Sequence, residues 1–390
     1  MTVWDDVVGQ PRAVEELSRA VASAAELVNH TGEGHAMTHA WLVTGPPGSG
    51  RSTAAVAFAA ALQCVDGGCG HCHECRTAIG GTHPDVEVVR PVGLHHLTDD
   101  IRHLVRRASL SPSGGRWQVV IVEDADRLEG PDEAWRPANA LLKAIEEPSP
   151  RTVWILCAPS IEDVLPTIRS RCRQIGLVTP PVEAVADYLV RRDGVDPAMA
   201  SFAARAAGSH VGRARRLATD EATRLRRAEV LRVPSGLADV GSCLTAAVNL
   251  VEASQEEAAQ AIAARDVAET EELAMALGQG SSKGLDGRGR AQLKELERQH
   301  KRRATRTQRD LLDLSLLDIV SFYRDVLAVQ LGARVPVLNV DLEREVHALA
   351  RASTPERTVQ RIDSVLACRE ALAGNVAPLL AVEAMTLALR

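Results

Sequence analysis

Gly45-Pro46-Pro47-Gly48-Ser49-Gly50-Arg51-Ser52-Thr53 is the stretch on which the reading of this chain turns. It follows an apolar run of strand length, Trp41-Leu42-Val43-Thr44, and opens a helical stretch, Thr53–Leu62. Glycines at 45, 48 and 50 let the backbone curl until its N–H groups converge. The helix N-terminus behind them adds a positive dipole end. Between a strand and a helix, such a loop is a cradle for phosphate. Spaced glycines alone are a weak signal; the Ser52-Thr53 pair and the flanking elements make it a strong one.

Working outward, Val86–Val89, Trp117–Val122 and Val153–Cys157 are further strand-length apolar runs. Helical stretches separate them: Pro11–Val28, Asp99–Ala108 and Ala138–Glu146. Pro11 suits a first helical position, and Pro148 stops the helix ending at Glu146-Glu147. Strands alternating with helices predict a parallel sheet covered on both faces, an α/β core over residues 1–178. Thr179-Pro180-Pro181 breaks that rhythm, and small helices to about residue 222 predict a lid. Beyond Pro234 only Val335–Val340 reads as strand-like, so 223–390 is expected to be a helical domain.

Two departures qualify the phosphate loop. The Walker A pattern has Lys where this chain has Arg51. An ammonium is a compact point charge that can sit between two phosphates, whereas a guanidinium is planar, forked and wider. Arg51 can attract a nucleotide but seats it differently. After the strand at 117–122, a Walker B site would carry Asp-Glu; here the order is Glu123-Asp124. Each carboxylate is one methylene from the expected length, a displacement of about 1 Å that matters in positioning-limited chemistry. The bland alternative is a polar strand end. Weak or absent binding of ATP or ADP is expected, and efficient hydrolysis is not.

Four of the eight cysteines crowd into one short stretch, Cys64, Cys69, Cys72 and Cys75. With a CxxC spacing they lie within reach of one ion, and tetrahedral zinc accepts four thiolates. His71 and His73 are alternative ligands. A closed ligand set predicts a structural site, and Cys157, Cys243 and Cys368 read as core residues. The N-terminus lacks a basic start and apolar core, and no long apolar run suggests a membrane span. A reducing cytoplasm is therefore expected, and clustered cysteines there indicate metal, not disulfides. A net charge of −6 with pI near 6.1 argues against a wholly basic, DNA-wrapping surface, though not against a local basic face.

One segment is polarised. Residues 252–272 hold seven acids and one Arg, and 283–309 hold ten Lys or Arg against three acids, with Gly278-Gln279-Gly280-Ser281-Ser282-Lys283-Gly284 between them. The reading is either two solvated helices attracted across an antiparallel hairpin or a basic arm that meets DNA or a partner.

Taken together, from near Trp4 to beyond residue 220, the chain resembles the bacterial DNA polymerase III clamp-loader family of AAA+ proteins. Trp4-Asp5-Asp6-Val7-Val8-Gly9-Gln10 resembles its N-terminal box, and the cysteine cluster its zinc module. His83-Pro84-Asp85, Asp99-Asp100-Ile101-Arg102 and Ala138–Pro148 resemble family boxes in order, and Ser170-Arg171-Cys172 resembles its SRC motif. The resemblance implies that Arg171 reaches in trans to ATP held by a neighbouring subunit. It implies nucleotide contacts at Gly45, Gly48, Gly50, Arg51, Ser52, Thr53, Glu123 and Asp124. Arg213, after Gly212, lies loosely where the family places a second sensing arginine. Arg51, the Glu123-Asp124 order and Ser160 in the γ-phosphate-sensing stretch fit the delta-prime kind of member, which often has a degraded P-loop. The implied role is a stator in a hetero-pentamer that loads a sliding clamp onto primer-template DNA, with a helical collar at the C-terminus. Bland readings of the arginines remain: Arg169, Arg171 and Arg173 alternate, as on one face of a short strand, or simply pair with local acids. An ATP-hydrolysing motor subunit and a zinc-dependent DNA-binding protein are the rival functions.

Overall fold

The computed structural model describes all residues except 92–95, 97, 115, 129–136 and 277–286, and leaves the side chains of 276 and 287–290 undescribed. It forms two compact units, the first running to Thr219 and the second spanning Asp220–Arg390.

The first unit is built on five parallel strands: β1 (Ala40–Thr44), β2 (Val86–Val89), β3 (Gln118–Val122), β4 (Thr152–Ala158) and β5 (Arg173–Gly176), in the order β2-β3-β4-β1-β5. Pairing is in step, with Trp41 opposite Ile155 and Arg173, and Val119 opposite Val153 and Val86. The central strands are apolar throughout because both faces are covered. Trp41, Val43, Val119, Ile121, Ile155 and Cys157 face α1 (Pro11–Asn29), α2 (Arg51–Gln63) and α3 (His73–Ile79). Their neighbours Leu42, Val120, Val122, Trp154 and Leu156 face α4 (Thr98–Ala108), α5 (Pro137–Glu146) and α6 (Pro166–Arg169). This strict alternation is the two-residue period of a strand. Helices α7 (Val182–Asp193), α8 (Pro197–Ala206) and α9 (Val211–Thr219) bury a small alanine-rich core of their own.

The strand-alternation reading of the three arginines does not hold. Arg169 closes α6, Arg171 lies in the turn after it, and only Arg173 is on β5, where its guanidinium sits 5.2 Å over the Trp41 ring.

The second unit is helical among the described residues: α10 (Glu221–Gly236), α11 (Val240–Ala276), α12 (Gly287–Gln330), α13 (Glu343–Ala352), α14 (Pro355–Ala373) and α15 (Pro378–Leu389). Helix α10 runs through Pro234 instead of ending there. The expected strand Val335–Val340 does not form. The N–H groups of Leu338 and Asn339 donate to the fully buried Asp325 carboxylate at 2.8–3.1 Å, so no strand partner is needed. Arg227 bridges Asp318 and the Asn339 side chain to complete that network. Residues 278–284, read as a linker, lie outside the described residues.

Candidate functional site

The carboxyl ends of the parallel strands align, because Thr44 pairs with Ala158 and Gly176, and Val122 with Leu156 and Val89. The segments that follow them therefore meet along one edge, and the loop after β1 sits where the strand order reverses, the usual crevice for a ligand in such sheets.

That loop has the curl the sequence implied. Gly48 and Gly50 take φ of 86° and 92°, which L side chains avoid. Gly50 caps α2 and Ser49 N–H donates to Pro46 O at 3.0 Å. The Ser49 hydroxyl is buried with no hydrogen-bond partner among the described residues. Gln10, buried in the N-terminal box, braces the loop: its amide donates to Ser49 O at 3.2 Å and Val178 O at 2.6 Å, and accepts from Val178 N–H. Beside it, Trp4, Val7, Val8, Gly9, Asp187 and Arg191 line an open cleft of about 580 Å³. Ser52 is half-buried and Thr53 exposed at the start of α2. Arg51, however, turns back on its own loop and donates to Gly45 O.

The carboxylate after β3 is also engaged. Glu123 is 8% exposed and accepts two hydrogen bonds from Arg90, which follows β2, at 2.7 and 3.0 Å. A bidentate pair of this kind fixes both side chains. Its carbonyl meets His96 Nε2 at 2.7 Å, and Asp124 takes a left-handed backbone conformation with φ of 51°. Ser160, after β4, is hydrogen-bonded to Glu162. Cys157 lies near these charges; burial first, then Glu123, pushes its thiol up to about 12, so it is an inert core residue.

His210, just before α9, closes on the loop, and the Arg213 N–H donates to its Nδ1 at 3.3 Å. A side chain at position 48 would strike the His210 ring at 2.6–2.7 Å, so a glycine is required for His210 to pack there. Burial, then Arg213 and Arg51, disfavour the His210 proton. The imidazole thus packs on the phosphate loop, with the charges of Arg51 and Arg213 both acting on it.

Arg171 is placed differently. It is about 40% exposed, donates to Thr167 O at 2.8 Å, and pairs with the half-exposed Glu146 at the end of α5 at 2.7 Å.

The four cysteines meet. Their Sγ atoms all lie within 4.8 Å of one another, with Cys64 and Cys75 buried. N–H groups of Cys69, Cys72 and Cys75 each point to the preceding sulfur of the set at 3.4 Å. Donors at His71 and Cys72 lower Cys69 to about 6, while burial pushes Cys72 and Cys75 up. These residues can hold a metal ion. His71 instead turns to the Cys69 carbonyl. The His83-Pro84-Asp85 box anchors this module: His83 Nδ1 accepts from Asp85 N–H, so Nε2 carries the proton and meets Glu74 of α3 at 2.6 Å. Asp85 in turn accepts three hydrogen bonds from Ser113 and Gly114.

Gln10, Arg90 and His210 were missed by sequence reasoning. Arg90 becomes visible only once β2 is known to lie beside β3; His210 could have been suspected from Gly212-Arg213 just after it.

A parallel sheet with a phosphate loop at its switch point, helices on both faces and a small helical lid define a P-loop core of AAA+ type. Residues 21–181 match the family model described as DNA polymerase III, delta subunit. The chain is 37% identical over 172 residues to the DNA polymerase III subunit delta′ of Pseudomonas aeruginosa, covering 42% of this chain and 50% of that one. With the delta′ subunit of Bacillus subtilis it shares 28% over 222 residues, 56% of this chain and 65% of that one. With the gamma/tau subunit of Mycobacterium tuberculosis H37Rv it shares 32% over 213 residues, 52% of this chain and 34% of that one. Over residues 21–181 the chain is thus similar to DNA polymerase III delta′ subunits, and the two delta′ matches span 50–65% of those relatives' length.

Proposed function

We propose that this chain is a delta′-like stator in a DNA polymerase III clamp loader, one that cannot power the cycle itself and lends Arg171 to the ATP site of a neighbouring subunit. The observation that carries this reading is the Arg90–Glu123 pair. It occupies the carboxylate that a motor subunit would need beside its own nucleotide. Arg51 on Gly45 and Ser160 on Glu162 are engaged in the same way. Gly45, Gly48, Gly50, Ser52 and Thr53 can still cradle ATP or ADP weakly, with Arg213 above them. The implied partners are the other subunits of a hetero-pentamer, the sliding clamp and primer-template DNA, in the cytoplasm. No helix among the described residues is long and apolar enough to cross a membrane.

Phosphoryl transfer develops charge on the γ-phosphate oxygens, and a guanidinium delivered there lowers the barrier. Arg171 is suited to delivery because its side chain is accessible and its local partners are weak. The test is a reconstituted complex carrying wild-type or Arg171→Ala chain, assayed for DNA-stimulated ATPase at equal assembly. A lower rate supports the role; equal rates sink it.

The similarity to gamma/tau favours one other reading, a motor subunit. Isolated chain turning over ATP at a motor-like rate would select it. Background turnover, unchanged by Arg51→Lys, supports the stator.

The ion in the four-cysteine cluster is proposed to be zinc, bound by Cys64, Cys69, Cys72 and Cys75. Thiolates on a closed tetrahedral set suit it, and the role is structural. Metal analysis should find one zinc per chain. Cys72→Ser should lose the zinc and about 2–5 kcal/mol of stability, as loss of a disulfide does in a small domain. Protein purified without chelators and free of metal would refute the assignment.

A further inference from the structure

The polarised segment is the feature that the clamp-loader reading leaves unused. Helices α11 and α12 run antiparallel, with Asp266 opposite Arg303 and Glu269 opposite His300. On 259–275 and 291–310 no residue is buried, so this part of the pair is an arm with two solvated outer faces. Asp266 and Glu269 turn inward, while Glu271, Glu272 and Glu297 are exposed. Arg303 donates to Asp266 at 2.6 Å and to both oxygens of Glu269, His300 meets Glu269 at 3.1 Å, and Arg265 adds a third donor. Burial opposes ionisation of Glu269, but the hydrogen bonds from Arg265, Arg303 and His300 outweigh it and hold its carboxyl at about 2. Asp266, Glu269 and His300 sit close enough to hold a cation. Arg303 already fills that place, so the cluster reads as an ion-pair seam.

The seam fixes the rotation of α12, and with Arg303 inward the opposite face carries Lys294, Arg298, Lys301 and Arg302, all exposed. Their spacing of four, three and one residues keeps them on one side of a helix, over a rise of about 12 Å. Arg298 has a local partner in Glu295 at 3.2 Å; Lys294, Lys301 and Arg302 form no ion pair among the described residues. Lysine and arginine at this pitch match a row of phosphates, since duplex DNA presents one charge per about 1.7 Å of axis. We infer that the outer face of α12, through Lys294, Arg298, Lys301 and Arg302, is a docking stripe for the phosphate backbone of duplex DNA. The choice of DNA over other polyanions rests on the clamp-loader reading; the stripe itself does not.

The experiment uses the full chain and a fluorescein-labelled 20-base-pair duplex, with anisotropy measured from 50 to 200 mM NaCl. The wild type should bind with a log–log salt slope near −3, and Lys294→Gln/Lys301→Gln/Arg302→Gln should lose about two to three of that slope. Affinity should fall at least tenfold at low salt, with the far-ultraviolet circular dichroism unchanged because the three side chains are exposed. The same affinity for wild type and triple variant overturns the inference, as does a wild type that binds no duplex at 50 mM salt. Competition by polyglutamate at equal charge as strongly as by unlabelled duplex overturns the choice of DNA. A stripe that binds DNA in a chain that fails to join the other subunits would refute the stator reading and leave the stripe standing.

Discussion

The phosphate loop and the turn after α6 belong to one unit, yet they treat their charges in opposite ways. Around the loop, Arg51 bonds Gly45, Glu123 is clamped by Arg90, and Ser160 is bonded to Glu162. At the turn, Arg171 lies in solvent with a single half-exposed carboxylate beside it. Of these groups Glu123 is buried, so removing its donors is costly even though Arg90 itself is exposed, whereas an exposed pair such as Arg171–Glu146 contributes about 0–1 kcal/mol. One region therefore has the parts of a nucleotide site bonded among themselves, and the other holds an accessible arginine whose partners are the Thr167 carbonyl, the Ser170 hydroxyl and a half-exposed carboxylate. On the proposed reading, the contrast is that of a chain without catalysis at its own loop that contributes to catalysis next door.

The largest expected effect tests the open side. At the interface it serves, Arg171→Ala should lower hydrolysis by about 10³–10⁵. In the whole assembly the loss is smaller, because other interfaces keep their own arginines. Arg171→Lys should be nearly as damaging, since a single ammonium cannot reproduce the fork. Single-turnover ATPase of the reconstituted complex measures both. A lysine variant with wild-type rate would show that Arg171 acts only as a local surface charge.

A smaller effect tests the locked side. Arg90→Ala leaves the Glu123 carboxylate 8% exposed and without its two donors. Because Arg90 itself is about 61% exposed, the cost is discounted to about 1–3 kcal/mol, read as a lower urea midpoint. Glu123→Gln in the same chain should recover part of the loss, because a neutral amide is cheaper to leave unpaired. Unlocking alone should not create an ATPase. Arg51 still bonds Gly45 and the Glu123-Asp124 order is unchanged, so ATP turnover should remain at background. Turnover that rises with Arg90→Ala would mean that the pair was the sole brake.

The sequence exposed these two regions unequally. The phosphate loop, the four cysteines and the core strands were legible because each depends on local spacing: glycines before a helix, CxxC, and apolar runs of four to seven residues. β5 was not legible as a strand, since Arg173-Gln174-Ile175-Gly176 is an edge with one buried residue, and edge strands carry little apolar signal. Val335–Val340 misled for the opposite reason. Its apolar residues suggested a strand, but its backbone donors are taken by Asp325, ten residues or more away in sequence. Arg90 and Glu123 are 33 residues apart and meet only through the β2–β3 pairing, which no local pattern encodes. His210 packs on Gly48 from 162 residues away, and only its neighbours Gly212-Arg213 hinted at it.

The smallest expected effect is the sharpest test of the contrast. If Arg171 is free to leave, its bond to Glu146 must be weak. The two side chains are about 40% and 45% exposed, and such a pair contributes about 0.2–1 kcal/mol at low salt. Glu146→Gln keeps the size and hydrogen-bonding capacity of the side chain and removes its charge. Stability should change by less than about 1 kcal/mol, and less again at 0.5 M NaCl, where screening has already removed most of the attraction. Release should favour reaching a neighbour, because Arg171 no longer gives up a partner on delivery. The complex should keep its ATPase within about twofold, on the high side if anything. Glu146→Ala, measured beside it, separates charge from contact. A loss of 2 kcal/mol or more for Glu146→Gln, or an ATPase as low as that of Arg171→Ala, would show that the pair is a fixed part of the fold. The two regions would then differ in exposure and not in freedom, and the arginine at the turn would be as locked as those around the loop.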